Sequence, residues 1–112
     1  QMCIRDRKEG EPSQVKRGAT LADGLLSVKP GDHVFPLVRD LVDDVVTCQD
    51  KNIKKALDLL YNKEKLIVEP SSAIGLGAIL EGKIKYDDND KLVLIITGGN
   101  VEGRAIEEII NS

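Results

Sequence analysis

Apolar residues recur along this chain with the spacing of helices. Two segments place them at offsets 0, 3, 4, 7 and 8, which is one face of a helix. The first set is Val34, Leu37, Val38, Leu41 and Val42, and the second is Ile53, Ala56, Leu57, Leu60 and Tyr61. A shorter set marks a last helical face at Ala105, Ile106, Ile109 and Ile110. We therefore predict three amphipathic helices, with Pro36 in the first turn of the first, where its missing N–H costs little.

A fourth helix and two strands follow from other patterns. Pro70-Ser71-Ser72 supplies a helix start with hydroxyl caps. Residues 73–80 are small or apolar on almost all sides, so this helix should be buried, and Gly75, Gly77 and Ala78 would let another backbone come close. Residues 44–48 include the β-branched residues Val45, Val46 and Thr47, and this composition favours a short strand. The continuous apolar run at 92–96 is typical of a central parallel strand that is buried on both faces.

Alternation of strands and helices predicts an α/β fold: a partial open twisted parallel sheet with flanking helices and right-handed crossovers. Only two strong strands fall in 112 residues, so we expect the chain to be part of a larger domain. Residues 1–7 fit none of these elements, and we interpret them as a non-native scar. Residues 8–112 then carry the fold.

Composition narrows the classes of partner. The chain is 41% hydrophobic and 31% charged with a net charge of −3, which is a globular balance without the basic footprint of a nucleic-acid-binding protein. No apolar run approaches the roughly 20 residues that span a bilayer. We expect neither a nucleic acid nor a membrane as partner. The opening residues hold no apolar signal region, so we also expect a cytoplasmic protein.

The most informative stretch for chemistry is Ile96-Thr97-Gly98-Gly99-Asn100. It lies where a buried strand turns into a helix, which is the edge at which open α/β sheets bind ligands. It matches neither a dinucleotide fingerprint, since position 100 is Asn, nor a P-loop, since Arg104 follows Gly103. The residues alone leave two interpretations open, a ligand-binding turn and a tight strand–helix connection.

The other polar candidates favour ordinary structural roles. Glu69 follows an apolar run and precedes Pro70-Ser71-Ser72, which by itself is a capping arrangement. His33, the only histidine, sits next to a turn and should be solvated, and Cys48 should be a small buried hydrophobe. The aspartates of residues 87–90 lack the Gly and the distal Glu of a calcium loop, so we predict no metal site.

Three segments together carry a resemblance to a known family. Thr20-Leu21-Ala22-Asp23-Gly24-Leu25 is followed by Lys29-Pro30-Gly31-Asp32; Leu66-Ile67-Val68-Glu69-Pro70-Ser71 leads into a Gly/Ala-rich helix; and Ile96-Thr97-Gly98-Gly99-Asn100-Val101 closes the set. In this order and spacing they resemble the C-terminal part of the catalytic domain of the threonine dehydratase (threonine ammonia-lyase) and serine racemase family. These are pyridoxal-phosphate enzymes of the tryptophan-synthase-β-like fold, or fold type II. The resemblance covers about residues 14–111.

The resemblance implies a cofactor site for pyridoxal 5'-phosphate. It assigns Thr97 to the pyridine nitrogen, Glu69 to the neighbourhood of the ring, Gly98 and Gly99 to close backbone approach, and Gly24 to a loop that lines the same pocket. A neutral hydroxyl does not hold the ring nitrogen protonated, which favours β-elimination over transamination. The implied reaction removes water from L-threonine or L-serine and gives a 2-oxo acid and ammonia. The resemblance also implies a homo-oligomer.

Departures from the family pattern limit what this chain can do alone. The family's Schiff-base lysine and glycine-rich phosphate loop match no motif here, so we assign no catalytic residue and expect the chain by itself to be inactive. The region around Lys16-Arg17-Gly18 does not preserve the family's metal ligands. Gln49 replaces a Ser cap, and Ser72 stands where the family often has Gly. Alternatives are serine racemase or another fold type II enzyme, and a small α/β binding module without catalysis.

Overall fold

The computed structural model describes residues 2–14, 16, 18–27 and 29–112; the assignments made for Gln1 and Arg17 lie outside these residues. The described part of the chain forms five α-helices, namely α1 Met2–Glu9, α2 Val34–Leu41, α3 Asp50–Asp58, α4 Pro70–Leu80 and α5 Gly103–Asn111. A 3-10 turn covers Asp23–Leu25, and a π-helical turn at Leu59–Lys63 prolongs α3. The chain divides into two compact units: residues 1–19 with 24–47, and Thr20–Asp23 with Cys48–Ser112.

The core of the second unit forms around α3. Ile53, Ala56 and Leu57 on its apolar face are at most 1% exposed, as the helical spacing predicts. Ile106 brings α5 against them and is 1% exposed, which confirms the last predicted helical face. Ala22, Leu60, Val68 and Ala73 complete this buried cluster. Burial of such side chains contributes about 1.5–3 kcal/mol each for the larger ones, which is what holds the unit together.

Helices α3 and α4 pack closely because α4 carries a glycine at the contact. A Cβ atom built on Gly77 would lie 2.9 Å from Cys48 Sγ and 3.2 Å from the carbonyl oxygen of Asn52. The predicted close approach of another backbone to α4 is thus confirmed at Gly77. Cys48 is partly buried in this contact as a free thiol. Burial, and then the nearby Glu81 carboxylate, raise the pKa of Cys48 to about 11, so the thiol stays protonated at neutral pH.

A carboxylate from the end of α4 caps the start of α3. Gln49 stands at the N-cap position and makes no side-chain cap, in line with the expectation of a poor cap. The Gln49 backbone N–H donates instead to Glu81 Oε2 at 2.8 Å, and Asn52 Nδ2 donates to the same oxygen at 2.9 Å. The bond from Gln49 first, and that from Asn52 second, hold the pKa of Glu81 below its ordinary value of 4.5.

Glu81→Gln is expected to destabilise the protein at neutral pH and to lose its effect in acid. A carboxyl whose pKa is lowered on folding stabilises the folded state above its unfolded pKa, and this contribution disappears as the pH falls through the folded value. The urea midpoints of the wild type and the variant should therefore differ at pH 7 and converge below pH 4.5. Glu108→Gln, on the exposed side of α5, is the control. A difference that stays constant down to pH 3 would contradict this.

The predicted sheet is not present in the described residues, which contain no strand. The strand predicted at 92–96 is not confirmed: the segment is neither helix nor strand, and its side chains are exposed, with Leu92 46%, Val93 86%, Leu94 39%, Ile95 81% and Ile96 37%. A strand exists only through hydrogen bonds to neighbouring strands, and the described chain supplies none. The exposed fraction nevertheless alternates with a period of two, and the less exposed side carries Leu94, whose Cδ2 lies 3.2 Å from a Cβ built on Gly75.

The short strand predicted at residues 44–48 is likewise not confirmed. They also form neither helix nor strand, for the same lack of a neighbouring strand.

The first unit is described separately. Helix α2 confirms the predicted helix, but the apolar face is largely uncovered: Val34, Leu37 and Leu41 are exposed, whereas Phe35 is buried. Periodicity shows which residues share a face and not whether a neighbour covers it. In α1 the buried Asp6 carboxylate accepts hydrogen bonds from Arg5 and from the Ser13 N–H. The prediction that residues 1–7 are non-native concerns their origin, on which these contacts do not bear.

No helix in the described part of the chain is long and apolar enough to cross a membrane.

Candidate functional site

The segment that follows residue 96 is held against the first turn of α4. The Glu69 N–H donates to the Gly98 carbonyl oxygen at 3.1 Å, and the Gly98 N–H donates to Ser72 Oγ at 2.7 Å. Both hydrogen-bonding groups of Gly98 are therefore bound by residues of one helical turn. This brings together Glu69 and Gly98, two of the residues that sequence analysis assigns to one site.

Gly98 lies so close to Glu69 that no other residue fits without movement. A Cβ atom on Gly98 would run into the Cγ, Cδ and Oε1 atoms of the Glu69 side chain. Gly99 is less constrained, since its Cβ would lie 3.4 Å from the Ile67 carbonyl oxygen. The close approach, and not a left-handed backbone, is what requires glycine at position 98. The carboxyl group of Glu69 thus occupies the space that a side chain at 98 would fill.

Thr97, the residue before Gly98, exposes its side chain, whereas Glu69 and Gly98 are half-buried. Gly99 is exposed as well, and its carbonyl accepts the Val101 N–H at 2.9 Å in a tight turn that leads into α5. One short segment therefore presents a hydroxyl, two residues without side chains and an adjacent carboxylate. This set can donate one neutral hydrogen bond, accept others and let a flat ligand approach the backbone.

The capping role predicted around Glu69 is wrong in its details. Glu69 is the N-cap residue of α4, with Pro70 following at the start of the helix, but its side chain makes no cap hydrogen bond. The Ser72 hydroxyl oxygen accepts the N–H of Gly98, which belongs to another segment of the chain. Sequence analysis missed this role because a Ser in the first turn of a helix is already explained as a cap.

The loop before α3 is tied down by Asp50. Thr20 Oγ1 donates to Asp50 Oδ1 at 2.7 Å, and the Leu21 N–H donates to Asp50 Oδ2 at 3.0 Å. These bonds hold Thr20–Asp23 in the second unit, where Ala22 enters the core. Gly24, the remaining predicted site residue, lies exposed in the 3-10 turn and belongs to the first unit, so it is described apart from the site.

Among the residues that the structure describes, no group of three or more His, Cys, Asp or Glu side chains is placed to hold a metal ion. The acidic loop at 87–90 forms a turn in which Asp90 Oδ2 accepts the Asp87 N–H at 2.9 Å. Asp87 Oδ1 accepts the Asn89 N–H at 2.8 Å. Asp87 and Asp90 thus each accept a backbone hydrogen bond within the loop.

The chain belongs to the family of pyridoxal-phosphate dependent enzymes, whose model matches residues 1–98. Among curated proteins it is 37% identical to the L-threonine ammonia-lyase of Geobacter sulfurreducens over 92% of this chain and 25% of that protein. It is 41% identical to the serine racemase of Dictyostelium discoideum over 96% of this chain and 32% of that protein. The chain therefore spans about a quarter to a third of the length of these relatives.

A solved structure shares the fold of this chain. It is a threonine deaminase from T.th., which matches with a TM-score of 0.83 and 29% identity, over 90% of this chain and 36% of that one. Family and structural likeness confirm the predicted pyridoxal-phosphate family and support its tryptophan-synthase-β-like fold. The residues present are compatible with one edge of a pyridine ring, because the exposed residue Thr97 carries a neutral hydroxyl and Gly99, also exposed, has no side chain.

Proposed function

We propose that this chain forms the pyridine-nitrogen side of a pyridoxal 5'-phosphate site in a threonine/serine dehydratase. The observation that carries the proposal is Gly98, whose N–H and C=O are both fixed on the turn that bears Glu69, with the exposed residue Thr97 directly before it. In this proposal Thr97, Gly98, Gly99 and Glu69 contact the ring; the assignment of Gly24 rests on the family resemblance alone. The family matched by residues 1–98 supports the identity of the cofactor.

Each residue has a definite task in this proposal. The Thr97 hydroxyl donates a hydrogen bond to the ring nitrogen and adds no charge beside it. Gly98 leaves room for the Glu69 carboxyl group, and the exposed Gly99 lets the flat ring approach the backbone because it has no side chain. The Glu69 carboxylate accepts hydrogen bonds at the ring edge. The bound cofactor supplies the electron sink for chemistry at the amino-acid Cα, and the protein orients and tunes it.

The proposed reaction is β-elimination of water from L-threonine or L-serine. Water leaves and is taken up again during hydrolysis, so the net change converts threonine into 2-oxobutanoate and ammonia. The name of the Geobacter relative, L-threonine ammonia-lyase, supports this reaction. Serine racemase is the second candidate, since the Dictyostelium protein of that name is 41% identical. The family match makes a small binding module without catalysis the weaker alternative.

In the full-length domain we propose that residues 92–96 form a central strand of a parallel sheet. The alternation of exposure along the segment, with Val93 and Ile95 most exposed, is that of a strand with one face still uncovered. Neighbouring strands would pair with its backbone, and flanking helices would cover these side chains. A homo-oligomer in the cytoplasm completes the proposal, and the family resemblance supports the homo-oligomer.

Cofactor titration of the full-length enzyme that carries this chain tests the proposal. Thr97→Ala removes one neutral hydrogen bond, worth about 0.5–1.5 kcal/mol, so cofactor affinity should fall about three- to tenfold. Thr47→Ala, at an exposed threonine of the first unit, is the matched control and should leave affinity unchanged. A wild-type enzyme without cofactor affinity, or equal affinity in Thr97→Ala, would overturn the proposal. Formation of 2-oxo acid distinguishes the dehydratase from a racemase, which would give D-serine.

A further inference from the structure

We propose that Ser72 is a positioning residue that fixes the Thr97 hydroxyl through the Gly98 peptide group. The proposal deepens the proposed function and rests on it. Ser72 does not belong to the residues that the resemblance assigns to the cofactor. Its role follows from one contact: its Oγ accepts the Gly98 N–H at 2.7 Å in a partly buried position.

Peptide planarity transmits this contact to Thr97. The Gly98 N–H belongs to the planar unit that joins the Cα atoms of Thr97 and Gly98. Fixing that N–H therefore fixes the plane that carries the Thr97 Cα. The Gly98 carbonyl, on the next plane, is bound by the Glu69 N–H at 3.1 Å. With both planes held, the two dihedral angles of Gly98 are determined by the first turn of α4.

This hold matters because the residue between the two planes is glycine. Glycine samples the widest range of backbone conformations, and position 98 accepts no larger residue without displacing Glu69. The close approach of Glu69 thus requires glycine, the most flexible residue, directly after Thr97, whose hydroxyl must be oriented. The hydrogen bond to Ser72 restricts the backbone of Gly98. The Ser72 N–H itself donates to the Glu69 carbonyl at 3.0 Å, so Ser72 is held within the first turn of α4.

Ser72 also separates this chain from the common family pattern, in which glycine often stands at this position. A glycine there provides no side-chain acceptor for the Gly98 N–H. Two variants therefore remove the acceptor, Ser72→Ala and Ser72→Gly, and the second introduces a residue that the family often carries. Ser72→Thr keeps the hydroxyl and serves as the conservative rescue.

Amide hydrogen exchange of the cofactor-free, full-length enzyme provides the first test. Loss of one hydrogen bond should speed exchange of the Gly98 amide about three- to tenfold in Ser72→Ala and Ser72→Gly. Ser72→Thr should exchange at the wild-type rate. Ser27→Ala, whose hydroxyl bonds to the Lys29 carbonyl in the first unit, is the control and should also match the wild type. Unchanged exchange in both variants that lack the acceptor would overturn the proposal.

Cofactor titration with a double variant provides the second test. Ser72→Ala should weaken cofactor affinity about three- to tenfold, and Ser72→Thr should restore it. If Ser72 acts through Thr97, Ser72→Ala should add little to Thr97→Ala, because the group that it orients is already gone. Additive losses would overturn the positioning role. A wild-type enzyme that binds no cofactor would overturn the proposed function, while amide exchange would still decide whether Ser72 holds Gly98.

Discussion

Gly98→Val in the full-length enzyme is expected to lose most of its bound cofactor, and with it about hundredfold in turnover, while costing only about 1–3 kcal/mol of unfolding free energy. The first atoms that the new side chain meets are Cγ, Cδ and Oε1 of Glu69, the outer part of a flexible side chain that can swing away. The fold therefore adapts, but the carboxylate and the backbone beside the ring move. A displacement of about 1 Å at a reacting centre is enough for a hundredfold loss.

Absorbance of the bound cofactor and urea unfolding, measured on the same samples, test this expectation. Gly103→Ala is the matched control, because a Cβ there meets nothing within 4 Å and the residue begins α5. It should keep full cofactor absorbance and gain slightly in stability, since Ala favours helix more than Gly. Combining Gly98→Ala with Glu69→Ala should remove the overlap and recover stability lost by Gly98→Ala alone. Undiminished cofactor absorbance in Gly98→Val would refute the expectation.

The helices of the second unit could be predicted because their signal is local. In α3 the apolar spacing that begins at Ile53 is itself the contact surface, so pattern and burial coincide. The run at 92–96 carries an equally strong apolar pattern, yet burial of a strand depends on neighbouring strands and covering helices, and the described residues contain no strand. Helix α2 shows the same limit, since Val34 and Leu37 share a face that stays more than half exposed among the described residues. Local periodicity predicts a helix or a strand, whereas the burial of its apolar face depends on residues far away in the chain.

The candidate site likewise has contacts that the sequence analysis led us to expect and contacts that it did not. Close association of Glu69 with Gly98 agrees with the resemblance, which assigns both residues to one ring. The hydrogen bond from the Gly98 N–H to Ser72 Oγ joins residues far apart in the chain, and no periodic pattern of the sequence indicates such a pair. Asp50 is similar, because an acidic residue in the first turn of a helix is already explained by the helix dipole. Its bonds to Thr20 and Leu21 become visible only in the fold.

Thr97→Asp is expected to change which reaction occurs, and not only how fast it runs. A carboxylate within hydrogen-bond reach of the ring nitrogen stabilises its protonated form, and an opposite charge at such distance shifts this equilibrium about tenfold or more. A protonated ring withdraws electrons more strongly than the neutral ring that Thr97 permits. The amino group of the substrate should then pass to the cofactor more often, so the ratio of aminated cofactor to ammonia should rise about tenfold or more.

Two neighbouring variants separate the effect of charge from the effect of shape. Thr97→Asn has nearly the size of aspartate and no charge, so it should lower the overall rate without changing the ratio of the two products. Thr97→Ser keeps the hydroxyl and should retain both the rate and the ratio of the wild type. Product analysis with L-threonine, measuring 2-oxobutanoate, ammonia and aminated cofactor, distinguishes these cases. Equal loss of every product in Thr97→Asp and Thr97→Asn would show that residue 97 does not face the ring nitrogen, because a charge placed there would then have no cation to stabilise.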